Sequence, residues 1–201
     1  MPLFFSACTA KEELGSYRGY ELPPYTVLQK EENTEIRQYA PQLMAEVTME
    51  GERKEAVSAG FRILAAYIFG DNESAAKVAM TTPVTQEPAS EKIAMTTPVT
   101  QKKSGDSWVV RFGMPKQYTT ETLPKTKDTR IRFVTTKPKK HVAIRFSGFA
   151  TDTVIAEQTK LLEAFITQQK LVRIGDPAIA YYDDPFTFPW NRRNEIMIEV
   201  K

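Results

Sequence analysis

The stretch KVAMTTPVTQ-EPASE-KIAMTTPVTQ, residues 77–101, sets how the rest of the chain is read. Lys77–Gln86 and Lys92–Gln101 differ only at Val78 against Ile93, so one strand-like unit has been copied beside itself. Two copies are too few for a solenoid. Each copy alternates. Val78, Met80, Thr82 and Val84 share one face, and Ala79, Thr81, Pro83 and Thr85 the other. Period two with β-branched residues predicts a strand with one buried face. Pro83 and Pro98 donate no hydrogen bond, which places each copy at a sheet edge or a bulge. The linker around Pro88 is short enough for the copies to fold back as a hairpin. Met80 and Met95 then have two readings: core filler, the usual role of methionine, or the lining of a ligand groove.

Upstream of the repeat, Glu52–Phe69 reads as a helix, with Val57, Phe61, Leu64 and Ile68 at helical spacing and Ile63 and Tyr67 beside them. Gly70 and Asn72 stop it. Gly60 lies mid-helix, where a glycine costs about 1 kcal/mol against alanine; it marks close packing, or the close approach of a strand or ligand. Before this helix, Tyr25–Lys30 and Thr34–Tyr39 read as short strands around Glu31-Glu32-Asn33, and Gln42–Met49 alternates with Leu43, Ala45, Val47 and Met49 on one face. Downstream of the repeat, Lys102–Ser107 reads as a polar turn and Trp108–Met114 as a strand with Trp108, Val110, Phe112 and Met114 inward. Arg130–Thr135 and His141–Phe146 are strands around a basic turn. A second helix, Thr151–Gln169, is capped by Thr151 or Asp152. Its stripe runs through Val154, Leu161 and Phe165, flanked by Ile155, Leu162 and Ile166. Ile179–Tyr182 and Glu195–Val200 end the chain as strands.

In order, these elements read β-β-β-α-β-β twice over. The fold class is therefore α+β: two helices on a curved antiparallel sheet with a pseudo-twofold repeat of the two halves. A groove between helix and sheet is where such a domain holds a ligand.

Composition narrows the function. Lys+Arg 27 against Asp+Glu 25 leaves a net charge of +2 with no basic block, so nothing points to nucleic acid. No apolar run reaches the roughly 18 residues that a membrane span needs. Cys8 and His141 are the only Cys and His, which excludes an intrachain disulfide and a Cys/His zinc site. A Ser–His–Asp arrangement would have to use His141, which sits in a strand-like run.

Leu3-Phe4-Phe5-Ser6-Ala7-Cys8 is similar to the end of a bacterial lipoprotein signal, in which the cysteine carries the lipid. The basic n-region of such a signal is missing and the apolar run is short. The expectation is lipidation at Cys8, with residues 1–24 as an N-terminus and tether and residues 25–201 as the folded domain. It places the protein at a bacterial cell envelope, anchored on the periplasmic or outer face. If the match is accidental, residues 1–24 are a loose terminus with a free thiol and the protein is cytoplasmic.

Six segments in order resemble the SOUL heme-binding proteins. They are Glu35-Ile36-Arg37 with Tyr39; Gly60-Phe61 with Leu64, Tyr67-Ile68, Gly70 and Asn72; Met-Thr-Thr-Pro-Val at Met80 and at Met95; Arg145-Phe146-Ser147-Gly148; Tyr182-Asp183 with Pro185; and Arg192-Arg193-Asn194-Glu195. The doubled Met-Thr-Thr-Pro-Val unit is similar to a bacterial branch of that family. The resemblance implies a distorted antiparallel β-barrel carrying two helices. It implies non-enzymatic binding of heme or another tetrapyrrole in a surface groove beside the first helix. On this chain that groove is expected to use Phe61, Arg62, Ala65, Phe69, Met80 and Met95, with Arg62 as the cation for the propionates. Some members carry a histidine inside the first segment as a proposed axial iron ligand. Here that position is Gln38, and His141 matches no such motif, so binding is expected to rest on apolar contact. Arg192–Glu195 reads as a turn whose polar side chains tie down loop backbone.

Two other functions compete with the binder. An enzyme in the same groove would need a perturbed carboxylate or tyrosine, for which Glu46, Glu50 and Tyr67 are the nearest candidates. An interaction module at a membrane surface would bind no small molecule.

Overall fold

The computed structural model of the protein describes residues 15–74, 90–184 and 186–201. Cys8, the first copy of the repeat with Met80, and Pro185 lie outside the described residues. In chain order the elements are β1 (Ser16–Tyr17), β2 (Tyr20–Glu21), β3 (Tyr25–Glu31), β4 (Thr34–Tyr39), β5 (Leu43–Glu50), α1 (Arg53–Ile68), β6 (Asn72–Glu73), β7 (Val99–Ser104), β8 (Ser107–Gly113), β9 (Lys125–Thr126), β10 (Arg132–Thr135), β11 (Lys139–Phe146), α2 (Asp152–Gln168), β12 (Arg173–Tyr181) and β13 (Asn194–Val200). Among the described residues, nine strands form one antiparallel sheet in the order β10-β5-β8-β7-β12-β13-β11-β4-β3. The sheet curls without closing, so its edges are β10 and β3.

Period two assigns the two faces. Ala45 and Val47 of β5 and Val110 and Phe112 of β8 meet Leu64, Tyr67 and Ile68 of α1 in one core. Val142 and Ile144 of β11 and Ile196, Ile198 and Val200 of β13 meet Leu162 and Ile166 of α2 in a second. Both helices therefore cover the same face, and the alternate residues of these strands look to the other, open face. Gly60 is the close-packing point of α1. A Cβ there would stand 2.8 Å from Val110 Cγ2 and 3.3 Å from Met49 Cγ. The Thr151 side chain caps α2 by accepting the Val154 amide at 3.3 Å.

Several expectations need correction. Lys92–Pro98 is not strand; the described copy joins the sheet only from Val99. The segment is instead strapped across the end of α1. The Ile93 amide donates to the Ile68 carbonyl at 2.9 Å, and the buried Asn72 side chain brackets the Glu91 amide and carbonyl. Thr96 Oγ1 donates to the Gly113 carbonyl at 2.6 Å. Side-chain and irregular bonds thus occupy groups that a ladder would need. The expected polar turn after Gln101 begins later, because Lys102–Ser104 continue β7 against β8. The six-element halves are not found among the described residues. The sheet instead carries β4-β5-α1-β7-β8 and β10-β11-α2-β12-β13, and each leading strand pairs inside the other group: β4 with β11, and β10 with β5. The stripe of α2 is rotated, since Leu161 is exposed and Leu162 and Ile166 are buried. Residues 15–24, expected as tether, form the β1–β2 hairpin, whose Tyr17 and Leu22 pack on Ala143, Ala180, Tyr182 and Met197 of the open face.

Candidate functional site

The open face divides into a buried charged end and a cavity. At the charged end Arg37 of β4 meets Glu195 of β13 across β11: the register sets Arg37 level with Glu199, and the Arg37 side chain runs diagonally along the shared open face to Glu195. Arg37 donates to both Glu195 oxygens, at 2.6 and 3.0 Å, and its Nε donates to Glu35 at 2.7 Å. Arg193 donates to Glu195 Oε1 at 2.8 Å, and the Tyr182 hydroxyl donates to Oε2 at 2.7 Å. Glu195 is wholly buried. Burial alone would raise its pKa, but the charges of Arg37 and Arg193 and the hydrogen bonds from Arg37 and Tyr182 outweigh that and hold the carboxyl at about 2. Burial likewise pushes the neighbouring Tyr39 and Tyr182 phenols well up, so both stay neutral. Arg37, Arg193 and Tyr182 all donate to carboxylate oxygens within the network. Its chemistry is structural: it locks β4 and β13 together and seats the N-terminal hairpin, whose Tyr17 stands edge-on to Tyr182.

Four of the motifs singled out in the sequence converge here. Glu35, Arg37, Tyr39, Tyr182, Arg193 and Glu195 form the network. Asp183 accepts the Arg193 amide at 2.6 Å, and Asn194 donates to the Gly148 carbonyl at 3.0 Å. The expectation that the Arg192–Glu195 run ties down loop backbone holds for Arg192, which donates to the Thr187 carbonyl, and for Asn194. Arg193 and Glu195 turn inward instead. Sequence spacing carried no sign of a contact between positions 37 and 195.

Beside the network the open face holds a cavity of about 350 Å³, at the lower end of the roughly 300–1,000 Å³ typical of small-molecule sites. Its apolar lining comes from Met44, Val109, Val134, Ala178 and Met197, with Pro23 and Pro98 at the margin. The charged lining holds four cations, Lys102, Arg111, Lys137 and Lys139, against three carboxylates, Glu46, Asp176 and Glu199. Arg111 pairs with Glu46 at 2.7 Å and Lys139 with Glu199 at 2.5 Å. Lys102 and Lys137 also line the cavity and enter no ion pair among the described residues. Lys102 Nζ lies 3.2 Å from where a Cβ on Gly175 would stand, so glycine at that position gives the lysine its room. His141 lines the same cavity, edge-on to Tyr39 with ring centroids 5.3 Å apart. Burial lowers its pKa to about 4 against the pull of Glu199, and Lys139 and Lys102 lower it further. The imidazole is therefore neutral at pH 7, and its buried Nδ1 has no hydrogen-bond partner among the described residues.

Among the described residues, those expected beside α1 line no common cavity. Phe61, Ala65 and Met95 pack against the core beneath α1, and Phe61 stacks edge-on to Phe112 at 5.3 Å. Met95 is partly buried against that core. Phe69 is exposed at the end of α1. Arg62 lines a shallow depression with Ile63, Ala66, Tyr67, Asp71, Asp128, Arg130 and Ile131, and none of the other expected residues joins it. The enzyme candidates are scattered too. Glu46 is on the open face, Glu50 is exposed at the end of β5, and Tyr67 is buried beneath α1 with its hydroxyl on the Pro124 carbonyl at 2.8 Å. Gln38 shares the face of Ile36, which packs beneath α2, so its side chain looks away from the cavity. No group of Asp, Glu, His and Cys suited to a metal ion occurs among the described residues. None of their helices is long and apolar enough to cross a membrane.

No curated protein sequence matches the chain. Solved structures share the fold at low identity. A hydrolase from Listeria innocua superposes with a TM-score of 0.55 at 14% identity, over 84% of this chain and 92% of its own. The EcmrR C-terminal domain superposes with a TM-score of 0.57 at 10% identity, over 88% and 98%. An uncharacterized conserved protein from Listeria innocua gives 0.56 at 14%, over 84% and 92%. Identities this low carry the architecture and no chemistry. The sequence pattern of the SOUL heme-binding proteins matches residues 20–199, and the chain belongs to the SOUL heme-binding protein family.

Proposed function

We propose that the chain binds heme or a related tetrapyrrole in the open-face cavity and catalyses no reaction on it. The observation that carries the location is the apolar lining of Met44, Val109, Ala178 and Met197 beside Lys102 and Lys137, two cations outside any described ion pair. A porphyrin is a flat apolar plate with two carboxylates at one edge. The cavity offers apolar contact for the plate, and the lysines supply charge-assisted hydrogen bonds for the propionates. Family membership supports the ligand class. The cavity replaces the face of α1 as the preferred site because Phe61, Ala65 and Met95 are already committed to the core.

Titration with hemin, followed by absorbance, tests this. Ala178→Trp fills the cavity and should weaken binding at least about tenfold, or ~1.4 kcal/mol. Lys102→Glu/Lys137→Glu should weaken it without changing volume. Arg62→Glu, on α1, should leave it unchanged. The reverse pattern would return the site to α1, and no binding by the wild-type chain would favour an interaction module.

We propose further that Cys8 is lipidated and holds the protein at a bacterial envelope membrane, as the lipoprotein-like run suggests. The full-length product should then fractionate with membranes and Cys8→Ser should release it; a soluble wild-type product would sink this reading.

A further inference from the structure

The loop between β12 and β13 carries aromatic side chains that the fold does not use. Phe186 is 94% exposed, Phe188 63% and Trp190 69%, and Phe149, at the start of the adjoining turn, is 60% exposed. Isolated exposed apolar residues are ordinary, but a cluster of this kind marks a contact surface. Phe188 and Trp190 stack with centroids 4.9 Å apart and planes 8° apart. Phe149 joins them through the backbone, since the Gly148 amide donates to the Pro189 carbonyl at 2.8 Å.

The loop is held from within. Asp184 Oδ1 accepts the amides of Phe186 and Thr187 at 2.8 and 3.0 Å, and Arg192 Nε donates to the Thr187 carbonyl at 2.8 Å. The hairpin tip adds another tie, from Arg18 to the Asn191 carbonyl at 3.0 Å. A backbone this well bonded keeps the rings outward, so their exposure is a built feature.

We infer that this patch seats in the interfacial zone of a lipid bilayer. Three observations select a membrane over another occupant. Trp and Phe beside arginine are the side chains that partition to the headgroup boundary, where an apolar ring is buried and a guanidinium meets phosphate. Arginine is present: Arg192 lies over the Phe149 ring at 5.2 Å, and Arg18, half-exposed and paired with Asp183 at 3.2 Å, stands at the patch margin. Third, the chain enters the fold here. Gly15 is three residues from Arg18 at the hairpin tip, and the seven links back to Cys8 reach at most about 25 Å. A lipid on Cys8 would hold this end of the molecule at the membrane and leave the patch as the second, weaker contact that a single chain needs. The patch itself does not depend on that lipid.

The experiment uses the full chain with Cys8→Ser, so that lipidation plays no part and its absence cannot be mistaken for failure of the patch. The probes are vesicles of phosphatidylcholine with phosphatidylglycerol. Trp190 emission should shift to the blue on addition of vesicles, and lipids brominated near the headgroup should quench it. Trp190→Phe should remove the shift, leaving Trp108 unresponsive. Phe186→Ser/Phe188→Ser/Trp190→Ser should lower the partition coefficient at least about tenfold with an unchanged circular dichroism spectrum. No blue shift or quenching in the wild-type aromatic loop overturns the proposal, as does equal partitioning of the triple variant. Concentration-dependent dimerisation in ultracentrifugation that the triple variant abolishes would also overturn it, by assigning the patch to a second copy of this chain.

Discussion

At the scale of the residue, two buried groups on the open face set the acid limb of stability. His141 has an ordinary pKa near 6.5 and about 4 in the fold; Glu195 has an ordinary value near 4.5 and about 2 in the fold. Both are lowered, so both contributions are complete at neutral pH and are lost as pH falls. Between pH 6.5 and 4 the unfolded chain takes up a proton on His141 that the fold refuses, at a cost of up to about 3 kcal/mol. Below pH 4.5 Glu195 adds its own loss. Urea midpoints at pH 7 and pH 5 should therefore differ in the wild type and converge in His141→Gln; equal wild-type midpoints would place His141 in solvent. Glu195→Gln should cost about 3–5 kcal/mol at pH 7, because Arg37 and Arg193 would be left buried without their anion. A loss below about 1 kcal/mol, the range of a surface pair, would mean that the network opens to water. None of this was legible in the sequence. Arg37 and Glu195 lie 158 positions apart and meet only because β4 and β13 both flank β11 in the sheet, and His141 stood alone in a strand.

Elements were more legible than contacts, because periodicity is a local signal and register is not. Both helices lie within a residue of their expected ends, and Thr151 caps α2 as its side chain allows. Alternation in β5 and β8 named the residues that meet α1. It failed at Lys92–Pro98, where the same alternating letters serve a strap. Ile93 and Met95 still turn to the core, but the Ile93 and Thr97 amides donate to the Ile68 and Glu21 carbonyls. It was silent about the β1–β2 hairpin, whose two-residue strands are too short to show a period. Gly60 is the element-scale test. Alanine there would gain about 1 kcal/mol of helix propensity, yet its Cβ would stand 2.8 Å from Val110, which is fully buried and branched. Overpacking of that kind costs about 1–3 kcal/mol, so Gly60→Ala should lower Tm. Val110→Ala in the same chain should recover part of the loss, whereas a higher Tm for Gly60→Ala alone would show that α1 has slack against β8.

For the whole molecule, the sheet separates two tasks. One face is fully spent on the helices, and the other keeps a cavity because only the network end is closed by the hairpin. Helix-side residues such as Phe61 and Met95 looked like ligand contacts in the sequence because apolar side chains near a predicted groove read the same whether a ligand or a strand covers them. Lys102, Lys137 and Ala178 gave no signal, since a lysine on a strand usually faces water. This division predicts how iron matters. If the cavity holds a tetrapyrrole through its apolar lining and lysines, the macrocycle and propionates supply the affinity. A few hundred Å² of apolar burial at about 25 cal/mol/Å² is worth several kcal/mol before association costs, and that area is the same with or without the metal. Gln38 shares the face of Ile36 and does not line the cavity. His141 is the one imidazole in the chain, and its neutral ring lies against Tyr39. Iron-free porphyrin should therefore bind within about tenfold of hemin, or ~1.4 kcal/mol, and His141→Ala should weaken the two equally or not at all. A sharp low-spin hemin spectrum that His141→Ala abolishes, with iron-free porphyrin unaffected, would instead make His141 an axial ligand and the metal the source of affinity.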